Sequence, residues 1–194
     1  MTTPSSTTAK PQPGAAIGII AGSGQFPFLV AQGARKNGLK VFICGFEDNT
    51  DPALAQEAEA FTLLNIGKLG ALIDFFKAHK VTRVCMAGAI SKPHALRFRP
   101  DMRAAKVLFR LAKNMGDDAI LRALAAELES EGITVVRPDA LAPTLLGPFG
   151  VLSKRSPTPE EWADTRFGWN AAKAIGALDI GQCVVVKGSA IIAV

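Results

Sequence analysis

The sequence predicts an α/β protein: a Rossmann-like parallel sheet with flanking helices, followed by the beginning of a second α+β domain. Three observations carry this expectation. An apolar run, a glycine turn and an amphipathic helix follow one another between residues 16 and 38. Apolar strand-like runs then alternate with helical patterns as far as residue 137, which implies βαβ units and a right-handed parallel sheet. Finally, a cluster of Pro and Gly at 138–150 breaks the pattern before one more helix and a hairpin.

In chain order, Ile17-Gly18-Ile19-Ile20-Ala21 reads as the first strand and Gly22-Ser23-Gly24 as a tight turn. A helix follows, with Pro27 in its first turn, where a missing N–H costs nothing. Phe26, Leu29, Val30, Gly33 and Ala34 fall at i, i+3, i+4, i+7 and i+8 and predict its buried face. Asn37-Gly38 stops it. Leu39–Gly45 and Phe61–Asn65 read as strands, 67–80 as a helix, and Val81–Ala87 as a strand buried on both faces. Helices are expected at 101–114 and 117–130, and a last parallel strand at 133–136. Thr158-Pro159-Glu160-Glu161 has the form of a capping box opening a helix to about 176. Residues 183–187 and 190–194 read as a hairpin about Gly188-Ser189. The expected domains are a disordered tail over 1–14, an N-terminal domain over 15–137, a linker over 138–150 and a partial second domain over 151–194. Because a lone hairpin is at best marginally stable, the second region reads as unfinished: either it packs onto the first domain or a C-terminal part is missing.

Composition narrows the class. Nearly half of the 194 residues are apolar, enough for a real core, and the net charge is a mild +5. Such a balance suits phosphates, nucleotides or an acidic membrane surface. Zinc-finger spacings and aromatic-interleaved basic repeats are absent, which argues against nucleic acid. The three cysteines, Cys44, Cys85 and Cys183, are odd in number and form no C-x-x-C pair, which supports neither a zinc site nor a redox dithiol. Each lies in an apolar run and reads as a small buried hydrophobe in a reducing cytoplasm. The first 14 residues have no apolar segment of the kind a signal peptide needs, and no stretch is apolar and long enough to span a membrane.

Two glycine loops are the candidate chemistry. A strand–glycine turn–helix aims free N–H groups and the positive end of a helix dipole at one point, a seat for phosphate. The dinucleotide fingerprint G-x-G-x-x-G is met at Gly22 and Gly24 but has Pro27 in its third place, and Glu47 stands where an acid would hold a ribose hydroxyl. Val81–Ala87 empties into Gly88-Ala89-Ile90-Ser91-Lys92-Pro93, on the edge where α/β sheets bind ligands. There Gly88 permits close backbone approach, Ser91 donates and Lys92 brings a charge. The picture is of two glycine-lined pockets at neighbouring strand tips gripping a diphosphate. Asp117 and Asp118 read either as N-terminal caps or as carboxylates for a metal or a sugar hydroxyl. Arg103, Lys106, Arg110 and Lys113 form a basic stripe, either solvated or facing anionic lipid or substrate. His79 and His94 match no compact metal spacing, and His94, beside the Lys92-Pro93 loop, is the better candidate for a site.

Taken together, Ile20-Ala21-Gly22-x-Gly24-x-x-Pro27, Ala87-Gly88-Ala89-Ile90-Ser91-Lys92-Pro93, Gly116-Asp117-Asp118-Ala119-Ile120-Leu121-Arg122, Ser156-Pro157-Thr158-Pro159-Glu160 and Leu178-Asp179-Ile180-Gly181-Gln182 resemble, in order, the UDP-2,3-diacylglucosamine pyrophosphatases of lipid A synthesis that have their own two-domain fold. The resemblance implies Mg2+- or Mn2+-assisted hydrolysis of UDP-2,3-diacylglucosamine to lipid X and UMP, in the cytoplasm at the inner membrane. With it, Gly22, Ser23, Gly24, Gly88, Ser91, Lys92, Asp117, Asp118, Asp179 and Gln182 are the residues expected to position substrate, although Asp179 and Gln182 also read as turn residues between helix and strand. The family's catalytic aspartate maps onto no residue here, so the 194-residue chain alone is expected to be nearly inactive. Homo-oligomerisation is left open. So are two other classes: a nicotinamide- or flavin-binding oxidoreductase, which Pro27 opposes, and a non-catalytic nucleotide-sugar or phospholipid-binding module.

Overall fold

A computed structural model describes residues 13–90, 100–110, 117–178 and 180–194, with Asp117 and Asp118 described by backbone alone. It divides into two compact units between Leu146 and Gly147.

The first unit is a five-stranded parallel sheet. Its strands are β1 (Ala16–Ala21), β2 (Lys40–Phe46), β3 (Ala60–Leu64), β4 (Arg83–Ala87) and β5 (Thr134–Val136), in the order β3-β2-β1-β4-β5. The helices are α1 (Phe26–Lys36), α2 (Leu69–Ala78), α3 (Met102–Arg110), α4 (Asp117–Ser130) and the short α5 (Pro138–Leu141). This is the Rossmann-like α/β layer arrangement that the alternation of elements predicts.

Strand alternation divides the core in two. Ile17, Ile19 and Ala21 point to one face and pack with Val30, Ala31 and Ala34 of α1 and Leu141 of α5. Ile20 points to the other, with Ile73 and Phe76 of α2 and Leu128 of α4. Gly18 lies on that second face because Phe76 fills the space: a Cβ there would come within 2.6 Å of Phe76 Cε1. Each large apolar side chain so buried contributes about 1.5–3 kcal/mol.

Four readings of the sequence shift. The buried face of α1 is Pro27, Val30, Ala31 and Ala34, while Phe26 and Leu29 are 39% and 47% exposed. The register differs because Gly33, at the flank, meets α5 rather than the sheet. A Cβ on Gly33 would lie 2.4 Å from that of Ala142, and Asn37 Nδ2 donates to Leu141 O at 2.8 Å. These contacts hold Pro138–Leu141 and the 3-10 turn Pro143–Leu145 against α1, although the proline spacing reads as a linker there. A further 3-10 turn, Pro52–Glu57, has no counterpart in the periodicity.

The fourth concerns the basic stripe of α3. Arg103 pairs with Glu131 and, at 3.8 Å, with Glu127, and Arg110 lies 3.8 Å from Glu127. These guanidiniums therefore tie α3 to α4 and its C-terminal end. Glu131 also accepts from Lys77 of α2. Its hydrogen bonds from Lys77 and Arg103 hold its carboxyl down to about 2. A depressed carboxyl contributes stability above its unfolded value of 4.5, and the contribution disappears as pH falls toward 2. Glu131→Gln is expected to lower the melting temperature at pH 7 and to flatten the acid limb between those values, measured by thermal melts across pH.

The second unit contains α6 (Pro159–Ala177) and an antiparallel hairpin of β6 (Val185–Lys187) and β7 (Ala190–Ala193). The capping box forms as the sequence predicts, with the Thr158 hydroxyl accepting from Glu161 N–H and the Glu161 carboxylate from Thr158 N–H. Asp164 fixes the hairpin turn by accepting from Gly188 and Ser189 N–H at 2.9 and 2.6 Å.

Candidate functional site

In this sheet the chain runs outward from β1 to β3 and then returns to lay β4 and β5 on the other side. The switch point lies between β1 and β4, where open α/β sheets bind ligands at the carboxyl ends of their strands. Both glycine loops stand there, with Ala21 beside Ala87 in parallel register.

The loops are clasped together by their backbones. Gly22 N–H donates to Ala87 O at 2.8 Å and Ser23 N–H to Ala89 O at 2.7 Å; Ala89 N–H returns a bond to Ser23 O at 3.3 Å. The Ser23 hydroxyl adds a second donor to Ala89 O at 3.0 Å. A Cβ on Gly22 would lie 2.3 Å from Ala89 O, and one on Gly88, whose φ is +93°, 2.6 Å from Ser23 O. The close neighbour that excludes a side chain at both glycines is thus the opposite loop. The space between the two turns is a backbone seam, with no gap between Gly22 and Gly88.

Gly24 differs. Its φ of +89° suits glycine, and nothing lies within 4 Å of where its Cβ would be. Gln25 then caps α1 without a side-chain hydrogen bond, and the first turn contains no acid. The N–H groups of Gln25, Phe26 and Phe28 have no intrahelical partner. The open side of Gly24 thus adjoins the positive end of α1.

Behind the turn sits a residue that the periodicity does not single out. Thr50 is the one buried polar residue among those described, 7% exposed. Its hydroxyl donates to Ala21 O at 2.6 Å and accepts from Phe46 N–H at 2.8 Å. The peptide joining Ala21 to Gly22 is therefore held at both ends, its carbonyl by Thr50 and its N–H by Ala87 O. The turn-forming cluster Glu47-Asp48-Asn49-Thr50 after β2 was the available signal. Glu47 stands at the tip of β2 and accepts from Asn65 Nδ2.

Of the other predicted residues, Ser91, Lys92, His94 and Asp179 lie outside the described residues, as do the side chains of Asp117 and Asp118. Helix α4 does begin at Asp117. Gln182 belongs to the second unit, where it lines a groove of about 530 Å3 with Glu161, Asp164, Trp169 and Cys183. Cys44 and Cys85 are buried as expected, and burial pushes both thiols up to about 12, which keeps them protonated and inert at neutral pH. Cys183 is exposed instead, because its segment precedes β6 rather than entering a core. His79 is structural: it follows α2, its Nδ1 lies 2.8 Å from Phe75 O, and it packs against Phe42 and Phe75. Among the described residues no three His, Cys, Asp or Glu stand close enough to hold a metal ion. None is therefore assigned to the Mg2+ or Mn2+ that the resemblance implies.

The fold defines a Rossmann-like α/β protein whose topological switch point lies between β1 and β4, at the clasped turns. Residues 16–145 match the LpxI N-terminal domain and residues 148–194 the LpxI C-terminal domain. A relative, UDP-2,3-diacylglucosamine pyrophosphatase LpxI of Caulobacter vibrioides, is 34% identical over 180 residues. The chain belongs to the LpxI family. That alignment takes in 92% of this chain and 64% of the relative, so the chain spans under two thirds of the relative's length. Two solved structures overlap it in part. N5-carboxyaminoimidazole synthetase from Staphylococcus aureus complexed with ADP is 28% identical over 40% of this chain and 19% of that one, with a TM-score of 0.34. UDP-glucose-4-epimerase from Stenotrophomonas maltophila with NAD and formylated UDP-arabinopyranose is 11% identical over 63% and 36%, with a TM-score of 0.41.

Proposed function

We propose that this protein acts in lipid A biosynthesis on UDP-2,3-diacylglucosamine, whose pyrophosphate is cleaved to give lipid X and UMP. The observation that carries the reading is family membership across both domains, joined to a relative whose name states that activity. The geometry supports it at one point. The open side of Gly24 and the free N–H groups of α1 offer a diphosphate a positive, preorganised seat at the switch point.

In the reaction, water adds to one phosphorus as the bridging P–O bond breaks, and negative charge grows on the departing oxygen. Fixed N–H donors and Lys92 would stabilise that charge. Ser91, Asp117, Asp118, Asp179 and Gln182 are proposed to orient the substrate. A divalent metal, when bound, would supply further charge neutralisation. The site of action is the cytoplasmic side of the inner membrane; no helix among the described residues is long and apolar enough to cross one.

The test is titration of the chain with detergent-solubilised UDP-2,3-diacylglucosamine, read by calorimetry, alongside UMP release with Mg2+ and with chelator. Saturable binding that free UMP competes for is expected. Absence of both binding and UMP release would overturn the reading. Hydrolysis that survives full chelation would remove its metal component.

A further inference from the structure

We infer that the outward face of α3, formed by Met102, Lys106 and Phe109, docks onto an anionic membrane surface. Helix α3 turns Ala104 and Val107 into the core. Arg103 and Arg110 are committed to Glu127 and Glu131. The remaining face carries Met102 and Phe109, which are 88% and 83% exposed. Seven residues apart, they lie on one side of the helix, two turns and about 10 Å from each other, with the exposed Lys106 between them. Neither side chain contributes to the fold, and exposing both costs apolar hydration.

The spacing chooses the occupant. Two apolar side chains separated by a lysine do not make the continuous patch of about 800 Å2 per partner that a stable protein interface needs. A lipid headgroup region accepts them separately, each apolar side chain inserting while the lysine stem lies flat and its ammonium reaches phosphate. Charge gives the sign. Residues 91–116 contain seven Lys or Arg against one Asp, and five remain once the paired Arg103 and Arg110 are set aside. A segment of that balance is drawn to anionic headgroups. This location differs from the one the basic stripe implies, because the paired arginines point along the α3–α4 seam.

The inference rests on the proposed function only in that a diacylated substrate gives membrane contact a use; its test contains no substrate. The chain is floated with vesicles of phosphatidylcholine alone and of equal parts phosphatidylcholine and phosphatidylglycerol. It is expected to rise with the anionic vesicles only. The double variant M102S/F109S is expected to lose binding about tenfold, Lys106→Glu to weaken it further, and both to keep the wild-type melting temperature because the positions are exposed. A wild-type chain that stays at the bottom of the gradient with anionic vesicles overturns the inference, and so does a double variant that floats as well as the parent. Absence of both substrate binding and UMP release, with normal flotation, would reject the proposed reaction and leave the docking surface standing.

Discussion

Gly22→Ala is expected to lower the stability of the first unit by about 3 kcal/mol. Three backbone atoms meet the new methyl group: Ala89 O at 2.3 Å, Ala89 C at 2.8 Å and Gly88 C at 2.9 Å. None is the end of a flexible side chain, so the loops themselves must part. Parting them stretches the bonds from Gly22 to Ala87 and from Ser23 to Ala89. For a unit of this size the loss corresponds to a fall of about 10 °C in melting temperature, which circular dichroism measures directly. Gly24→Ala is the control. Its methyl group enters empty space and pays only left-handed backbone strain, about 1–2 kcal/mol. A smaller fall for Gly22→Ala than for Gly24→Ala would contradict the clasp.

Thr50→Val is the second large effect. Valine keeps the shape but leaves Ala21 O and Phe46 N–H buried without partners, at about 1–3 kcal/mol each. Thr50→Ser keeps the hydroxyl and removes the methyl group that fills the space beside Gly45, at about 1 kcal/mol. The two variants should therefore separate by about 2 kcal/mol or more in urea unfolding, with valine the weaker. Amide exchange gives a local readout. Gly22 N–H should lose protection in the valine variant beyond what its global stability explains, and keep it in the serine variant. Equal stability and equal protection in both would show that the hydroxyl does not hold the turn.

The fold was legible because its signals are short-range. Strand β1 is a continuous apolar run and β4 is apolar from Val84 to Ala87, α6 opens on a capping box written in four consecutive residues, and Asn37-Gly38 ends α1 in sequence as in space. What periodicity could not carry was contact between distant segments. Gly33 belongs at a helix flank only because Ala142 arrives there from more than a hundred residues away, and that contact displaces the buried face of α1 by one position. The basic stripe looks identical on paper whether its partner is solvent, lipid or Glu127 and Glu131. In the candidate site, the glycines and their sheet edge could be read from the turn pattern. Their mutual clasp could not, since Gly22 and Gly88 each have a local excuse for lacking a side chain. Thr50 was hidden for the same reason: a threonine in a polar turn gives no hint that β1 has a carbonyl waiting for it.

The stitched loops also bear on how a ligand enters and leaves. In open α/β sheets the crevice at the switch point forms outside the carboxyl ends of the strands, where the loops of adjoining strands turn away from each other. Here the halves are sewn together at their tips, by Gly22 with Ala87 and by Ser23 with Ala89. These bonds fix the two tips to each other whether or not anything rests on them. An occupant would find a seat already shaped rather than a jaw to be closed.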